Sequence, residues 1–199
     1  MSAVDMDAKV AAFLKVLDPT DNATGGGTAS AVAGAMAGAL VAMVARLSVG
    51  KAIAPDAFYR ELDAESQALS SELFEGCHVD SLAFETVRNA FRLPKHTEEE
   101  KTARSRAIQA AWIHAARVPL ANAERCARVL ELGSRLQGRS NPSAASDLKC
   151  AMYLARAGLL GCLDNVEINV PAIKDQQIAA ELAERARELR ETFGSERQE

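Results

Sequence analysis

Residues 25–48 read GGGTASAVAGAMAGALVAMVARLS, and this stretch decides the fold. It carries no charge before Arg46, yet more than half of it is alanine and glycine rather than large apolar residues. A membrane-spanning helix needs roughly 20 predominantly apolar residues, so the stretch favours a helix buried inside a soluble bundle. Small residues recur in it every four positions: Ser30, Gly34, Gly38 and Ala42. They predict one smooth face that a second helix can approach closely.

Composition and charge restrict the class of protein. The 199 residues are 48% hydrophobic and 25% charged, as in an ordinary globular domain that buries a substantial core. The net charge of −4 and the 5% aromatic content argue against a nucleic-acid partner. No signal peptide or membrane span is recognisable, so we expect a cytoplasmic protein. The four cysteines lack the spacing of a metal site and are expected to be free thiols: Cys77, Cys126, Cys150 and Cys162.

Apolar periodicity and helix-end signals predict an all-α, single-domain bundle of about six helices over 1–199. The expected helices cover about 5–17, 28–48, 55–92, 97–137, 141–163 and 174–193. Thr97 and Glu100 form a capping box, Gly76 is expected to interrupt the third helix, and Pro119 is expected to kink the fourth. The alternating segment 165–170 is expected to be a helix end or an extended link, and the tail after about residue 194 is expected to fray.

A triple glycine, Gly25, Gly26 and Gly27, precedes the small-residue helix, for which Thr28 is the expected cap. Backbone N–H groups at such a position can face an anion, helped by the helix dipole. The same glycines also suit a flexible turn, and the sequence leaves both interpretations open.

Two acids and three amides are further candidates for a site. Asp80 lies within a helical run and Asp147 near a helix start, where each is either a functional acid or a solvated or capping residue. The amides lie near helix ends and suit either ligand contacts or turns and caps: Asn141, Asn165 and Asn169. The three histidines show no metal-site or catalytic spacing, so no metal is expected.

An ordered set of short motifs spans about residues 5–190. It comprises Pro19-Thr20, Gly25-Gly26-Gly27, Gly50-Lys51, Asp80-x-x-Ala83-Phe84, Leu93-Pro94-Lys95, Glu99-Glu100-Lys101 with Arg104, Val118-Pro119-Leu120, Gly138-x-x-Asn141, Ser146-Asp147 and Asn165-Val166-x-x-Asn169. In this order the set resembles the cyclodeaminase/cyclohydrolase family, which includes the cyclodeaminase domain of formiminotransferase-cyclodeaminase and stand-alone methenyltetrahydrofolate cyclohydrolases.

The resemblance implies a tetrahydrofolate derivative as substrate and a set of site residues. As catalytic groups it offers the carboxylates of Asp80 and Asp147, which suit a cationic carbon and proton transfer, and the ammonium group of Lys51. Substrate-binding positions that match the family motifs are Gly25, Gly26, Gly27, Lys95, Asn141, Ser146, Asn165 and Asn169. Among these, Asn165 and Asn169 suit the pterin, whereas the glycines and Lys95 suit the anionic glutamate tail. The resemblance and the smooth helix face together imply a homodimer.

The favoured activity is methenyltetrahydrofolate cyclohydrolase, with formiminotetrahydrofolate cyclodeaminase as the alternative, because the cyclodeaminase usually works beside a fused transferase domain. A non-catalytic folate-binding or helical interaction protein is a further alternative. It is motivated by departures from the family pattern at residues 21–24 and 52–55.

Overall fold

The computed structural model describes residues 3–21, 24–51 and 53–195, and within them every regular element is helical. The α-helices are α1 (Ala3–Val16), α2 (Gly26–Ser48), α3 (Asp56–Arg92), α4 (Glu98–Leu136), α5 (Ala145–Asn169) and α6 (Gln176–Phe193). Short 3₁₀ turns, Pro142–Ala144 and Val170–Ala172, flank α5. The predicted all-α bundle of about six helices is therefore confirmed. Most of the tail expected to fray lies outside the described residues, as do Asn22, Ala23 and Ala52 of the two departing segments.

α2 is the central helix of the bundle, and its small residues are the reason. An added Cβ on Gly38 would stand 3.1 Å from the backbone of α3 at Ser66 and Ser70. An added Cβ on Gly158 of α5 would stand 2.8 Å from the carbonyl oxygen of Ser30. The smooth face is therefore filled within the chain by α3 and α5. The predicted close approach of a second helix to this face is confirmed, but the helices come from the same chain, so the face does not imply a homodimer and a dimer needs a different surface.

α2 is also long and apolar enough to cross a membrane by length and composition. In the bundle, however, 61% of its most apolar window is buried, and Val41 and Val44 are fully enclosed. This burial is what the core helix of a bundle shows. One hydrophobic cluster joins α2 to α3, α4, α5 and α6.

α3 is continuous, because Gly76 does not interrupt it as expected. The reason for glycine at this position is the neighbouring helix, since the buried amide of Asn122 on α4 occupies the space that a Cβ would need. The same amide donates a hydrogen bond to the carbonyl oxygen of Gly76 at 3.3 Å. Gly76 is thus a contact position between α3 and α4.

The ends of α4 and α5 agree only in part with those predicted from the sequence. The capping box of α4 is confirmed, since the Glu100 N–H donates to Thr97 Oγ1 and the Thr97 N–H donates to Glu100 Oε2, each at 3.2 Å. α4 continues through Pro119 as one helix. α5 continues to Asn169, so the segment 165–170 is a helix end. Its apparent alternation is misleading, because Val166 is fully buried whereas Ile168 is 75% exposed.

Candidate active site

The carboxylate of Asp80 on α3 lies against the first turn of α2. Thr28 Oγ1 donates a hydrogen bond of 2.9 Å to Asp80 Oδ2. A Cβ added to Gly27 would stand 2.7 Å from Asp80 Oδ2 and 2.8 Å from Oδ1, closer than real Cβ atoms approach. Only glycine at position 27 therefore allows the carboxylate to occupy this place. Thr28, expected to be the cap of α2, is instead a buried partner of Asp80, and Gly25 is the N-cap.

Two opposing effects set the charge state of Asp80. Burial raises the pKa of its carboxyl group above the ordinary value of 3.8, and the hydrogen bond from Thr28 acts in the lowering direction. Gly25 caps α2 without a side-chain hydrogen bond, and the first turn of α2 contains no acid. The N–H groups and dipole at this end favour negative charge. The site thus holds a carboxylate that binds a proton more readily than a solvated one but is still supported as an anion.

Asn165 and Asn169 extend the site along one face of α5, four residues apart. Asn165 Nδ2 donates to the carbonyl oxygen of Gly161 at 2.8 Å, and a Cβ on Gly26 would stand 3.5 Å from the same nitrogen. Asn169 Nδ2 donates to the carbonyl oxygen of Ala115 on α4 at 2.8 Å. Both amide groups are therefore held in place by backbone carbonyl groups.

Pro119 provides the acceptor for Asn169. In a helix, the carbonyl oxygen of Ala115 would normally accept the N–H of residue 119, but proline has none. The oxygen is left without its usual helical partner, and Asn169 Nδ2 takes that place. The sequence predicts a kink at Pro119, and in the structure this residue also leaves free the acceptor that holds Asn169.

These groups surround a cavity of about 360 Å³. Its lining is formed by Gly25, Thr28, Asp80, Ser81, Ala83, Phe84, Trp112, Ala115, Asn165, Ile168 and Asn169. Phe84 and Trp112 provide aromatic surface, and Trp112 is oriented edge-on by Phe91, with ring centroids 6.4 Å apart. A carboxylate, two amides and aromatic rings suit a flat heteroaromatic ligand that carries or develops positive charge.

Four other predicted site residues lie at the opposite end of the bundle: Lys51, Asn141, Ser146 and Asp147. Lys51 is exposed beyond the C-terminus of α2, a 23-residue helix about 35 Å long. Ser146 and Asp147 lie in the first turn of α5, whose other end carries Asn165. Within one chain, the structure therefore does not bring Lys51 or Asp147 together with Asp80.

Asn141 has structural hydrogen bonds at this second end. Its Nδ2 donates to the carbonyl oxygen of Leu47 at 3.1 Å, and its backbone N–H donates to Ser48 Oγ at 2.8 Å. Its Oδ1 accepts the N–H of Ser143 at 3.1 Å. Asn141 thus connects the C-terminus of α2 to the start of α5.

Lys95, expected near the anionic tail of a ligand, is exposed just beyond the C-terminus of α3 and is not part of the cavity wall. Within residues 3–21, 24–51 and 53–195, no three side chains of the His, Cys, Asp or Glu type gather as metal ligands.

Sequence reasoning missed Thr28 as a partner of Asp80, the wall residue Trp112 and the role of Pro119. Trp112 is the only tryptophan in the chain, which is a weak signal by itself. Neither the Thr28–Asp80 hydrogen bond nor the acceptor beside Pro119 has a local signature, because each joins residues from different helices.

Two known folate enzymes are similar in sequence to most of this chain. A methenyltetrahydrofolate cyclohydrolase from Methylorubrum extorquens is 36% identical over 174 residues, which cover 86% of this chain and 84% of that protein. The formimidoyltransferase-cyclodeaminase of Sus scrofa is 32% identical over 179 residues, covering 89% of this chain but only 33% of that protein.

The fold has a solved counterpart. The crystal structure of a formiminotetrahydrofolate cyclodeaminase from Thermotoga maritima matches with a TM-score of 0.77 and 25% sequence identity, covering 91% of this chain and 87% of that one. The family model described as formiminotransferase-cyclodeaminase matches residues 9–188. These matches agree with the resemblance seen in the ordered motifs, and the chain belongs to the formiminotransferase-cyclodeaminase family.

Proposed function

We propose that this chain is a methenyltetrahydrofolate cyclohydrolase, which converts 5,10-methenyltetrahydrofolate and water to 10-formyltetrahydrofolate. The observation that carries the proposal is the Asp80 carboxylate, partly buried against the first turn of α2 in a cavity with aromatic walls and two fixed amides. The similarity to the Methylorubrum cyclohydrolase extends over most of both chains and supports this choice.

In the proposed mechanism, Asp80 acts as general base and stabilises the cation. The methenyl carbon lies between N5 and N10 and shares its positive charge with both nitrogens, so a nearby carboxylate lowers the cost of that charge. A water oxygen bonds to this carbon while Asp80 accepts one of the water protons. The carbon–N5 bond then breaks, Asp80 returns a proton to N5, and the hydroxyl group loses its proton to become the formyl oxygen. One proton is released for each turnover.

The remaining groups hold the substrate. Phe84 and Trp112 provide surface for the flat rings, and the carbonyl oxygens of Asn165 and Asn169 are available to accept pterin N–H groups. Because the amide nitrogens of Asn165 and Asn169 are fixed by Gly161 and Ala115, their oxygens are oriented before the ligand arrives.

A second candidate is the cyclodeaminase reaction, in which N10 attacks the formimino carbon on N5 and ammonia leaves. The Thermotoga structure supports this candidate, because that protein is a formiminotetrahydrofolate cyclodeaminase and this chain matches 87% of its length. Both reactions pass through a tetrahedral carbon between two nitrogens and need the same carboxylate.

Methenyl absorbance tests the proposed function directly. With 5,10-methenyltetrahydrofolate as substrate, we expect the methenyl band to disappear faster than in a sample without protein. With 5-formiminotetrahydrofolate, we expect no methenyl band to form. Formation of the band from the formimino compound would support the cyclodeaminase instead, and folate binding without turnover of either compound would support a non-catalytic protein.

The second prediction concerns the charge of Asp80. Asp80→Asn keeps the shape and an acceptor for Thr28 but removes the base, so turnover should fall by roughly 10²–10⁴. In the wild type, activity should decline as pH falls through the raised pKa of Asp80, because the base must be ionised. The pH–rate profile of the wild type and the turnover of the variant at neutral pH are the measurements.

Stability measurements separate this role from a structural one. The folded protein holds the Asp80 proton to higher pH than the unfolded chain, whose carboxyl group titrates near 3.8. The contribution of Asp80 to the free energy of unfolding therefore falls as pH rises through the window between the two values. Asp80→Asn should be at least as stable as the wild type at neutral pH. A lower melting temperature together with a proportionate loss of activity would contradict the catalytic role.

The third prediction concerns Pro119. In Pro119→Ala a new N–H can bond to the Ala115 oxygen and compete with Asn169. The loss of one hydrogen bond, about 0.5–1.5 kcal/mol, should raise KM up to about tenfold. The helix itself should not lose stability, because proline is the least favourable residue in a helix interior. In an Asn169→Ala background, the same substitution should have no further effect on KM. An equal KM effect in both backgrounds would show that Pro119 does not act through Asn169.

We further propose that the protein works as a homodimer through the outward face of α2. This face carries an apolar stripe at alternating spacings of four and three, formed by Ala29, Ala33, Met36, Leu40, Met43 and Leu47. Met36 and Leu47 are 46% and 47% exposed. Such spacing is that of a helix-pairing seam.

The stripe is self-complementary when two copies of α2 run antiparallel. A two-fold axis that crosses the outward face of α2 at the height of residue 38 would place Ala29 opposite Leu47 and Ala33 opposite Met43, so small residues meet large ones. In the same register, Gly25 of one copy lies opposite Lys51 of the other. Lys51 would then reach the cavity mouth of the second copy, which explains how it can act with Asp80 despite lying at the far end of α2.

Mixing two inactive variants tests this arrangement. Asp80→Asn and Lys51→Ala are each expected to have low activity, and dimers that contain one of each should retain one intact site. Co-expression should therefore restore about a quarter of the wild-type activity. Co-expression of Asp80→Asn with Asp80→Ala is the control and should restore none. No recovery in the mixed sample, or a monomeric mass by solution scattering at micromolar concentration, would contradict the arrangement.

A further inference from the structure

The hydroxyl group of Thr28 makes a contact from α2 to α3 that is unusual for its helix. Its Oγ1 donates to Asp80 Oδ2 at 2.9 Å, and the side chain of Thr28 is fully buried. Two other buried hydroxyl groups of α2, those of Ser30 and Ser48, donate to carbonyl oxygens four residues earlier, at 2.6 and 2.7 Å. That is the common arrangement for a hydroxyl group inside a helix. Thr28 lies in the first turn, so the residue four positions earlier precedes the helix, and the hydroxyl group bonds to α3 instead.

The two oxygens of the Asp80 carboxylate therefore have different surroundings. Oδ2 accepts the hydrogen bond from Thr28, whereas Oδ1 has no hydrogen-bond partner within residues 3–21, 24–51 and 53–195. The buried side-chain atoms that lack a partner in those ranges are Ser66 Oγ and Arg104 Nε, so Oδ1 is not a buried atom. Because Asp80 lines the cavity, Oδ1 is the oxygen that remains accessible from it.

The backbone of α2 restrains the same carboxylate. A Cβ on Gly27 would stand 2.7 Å from Oδ2 and 2.8 Å from Oδ1, so the carboxylate lies directly against this glycine. The last torsion of an aspartate side chain is normally soft and allows the two oxygens to exchange places. The contact with Gly27 and the hydrogen bond from Thr28 together restrict that rotation and determine which oxygen faces the cavity.

No charged side chain takes over the role of Thr28. The titratable groups that interact electrostatically with Asp80 are the thiols of Cys77 on α3 and Cys162 on α5. Burial, followed by the charge of Asp80, raises the pKa of Cys77 to about 11. A hydrogen bond with a neighbouring thiol, followed by burial, raises the pKa of Cys162. Both thiols are therefore neutral where a carboxyl group titrates, and residues 26–45 of α2 carry no charge.

We propose that Thr28 is a positioning residue of the reaction, which holds Asp80 Oδ2 so that Oδ1 is the oxygen that takes the proton from water. The inference rests on the proposed function, since it takes Asp80 to be the general base. As the water oxygen bonds to the methenyl carbon, one O–H bond of the water breaks and its proton passes to Oδ1. The same oxygen returns a proton to N5 when the carbon–N5 bond breaks. Oδ2 keeps its hydrogen bond throughout, so the carboxylate does not have to turn between the two transfers.

Thr28 also affects how much of the base is ionised. A hydroxyl group donates a stronger hydrogen bond to a carboxylate than to a neutral carboxyl group, so the contact favours the ionised form of Asp80. Without it, the effect of burial is unopposed and Asp80 binds its proton more tightly. The loss of the Thr28 hydroxyl group should therefore change both the ionisation of Asp80 and the efficiency of the ionised base.

Three variants separate this role from a structural one. Thr28→Val keeps the shape of the side chain but removes the donor, and Thr28→Ser keeps the donor. Ser30→Ala is the matched control, because it removes a buried hydroxyl group of the same helix that bonds to the backbone and not to Asp80. The melting temperature of each variant shows that it is folded.

The first measurement is the proton affinity of Asp80 in the protein without folate, by NMR of isotope-labelled aspartate carboxyl groups. The Asp80 signal is assigned by its absence in Asp80→Asn. In Thr28→Val we expect Asp80 to bind its proton about tenfold more tightly, as for the loss of a hydrogen bond to a charged group. Its activity should accordingly decline at a higher pH than that of the wild type. Thr28→Ser and Ser30→Ala should match the wild type.

The second measurement is kcat at a pH at which Asp80 is ionised in every variant. The kcat of Thr28→Val should still be about tenfold or more below that of the wild type, because a misplaced base is inefficient even when it is ionised. KM should change little, since Thr28 does not hold the substrate. Thr28→Ser should restore kcat. In an Asp80→Asn background, Thr28→Val should have little further effect on kcat.

An unchanged titration of Asp80 in Thr28→Val, or a wild-type kcat once Asp80 is ionised, would overturn the proposal while leaving the cyclohydrolase function in place. An equal loss of kcat in Thr28→Val and Ser30→Ala would also overturn it. A wild type that does not turn over the methenyl compound would overturn the proposed function, and the role of Thr28 with it. The titration uses no folate and therefore distinguishes the first failure from the last.

Discussion

The partial burial of one carboxylate at a helix N-terminus is the constraint on which the site depends. Asp80 can lie against the first turn of α2 only because Gly27 has no side chain and Thr28 donates a hydrogen bond to it. Desolvation raises the pKa of this carboxyl group, and an isolated buried charge would be far less favourable. Desolvation thus makes the ionised form of Asp80 less stable at the position where the proposed reaction needs a proton acceptor beside a cationic carbon.

The same close packing explains why α2 is built from small residues. Glycine at positions 34 and 38 lets α3 and α4 approach its backbone, and Gly158 lets α5 approach from another direction. These contacts set the position of Asp80 on α3 relative to the amides on α5, which have to face the same cavity. The packing of the core therefore also sets the geometry of the site. Gly27 contributes to both, because it belongs to α2 and leaves the space that the Asp80 carboxylate occupies.

The helices could be predicted from the sequence because their signals are local. The capping box at Thr97 and the small-residue pattern of α2 each lie within a few turns of chain. Asp80, Asn165 and Asn169 were gathered through the ordered motifs, and the structure brings these three together. Gly76 was misjudged because helix propensity does not show that Asn122 of another helix needs its space.

The remaining site features depend on which helices face each other. Asp147 and Lys51 were grouped with Asp80 because sequence order carries no distance, and the length of α2 separates them. The acceptor that Pro119 leaves free becomes meaningful only when α5 places Asn169 beside it. Periodicity identifies the buried face of a helix but not the helix that packs against it. The pattern of α4 therefore does not mark Trp112 as a residue of the cavity wall.

The most direct test of the account is a crystal structure of the protein with a stable folate, 5-formyltetrahydrofolate, bound. The account predicts that the pterin lies between Phe84 and Trp112, with the one-carbon unit on N5 within hydrogen-bonding distance of the Asp80 carboxylate. A folate bound elsewhere on the bundle, or one whose N5 faces away from Asp80, would contradict it.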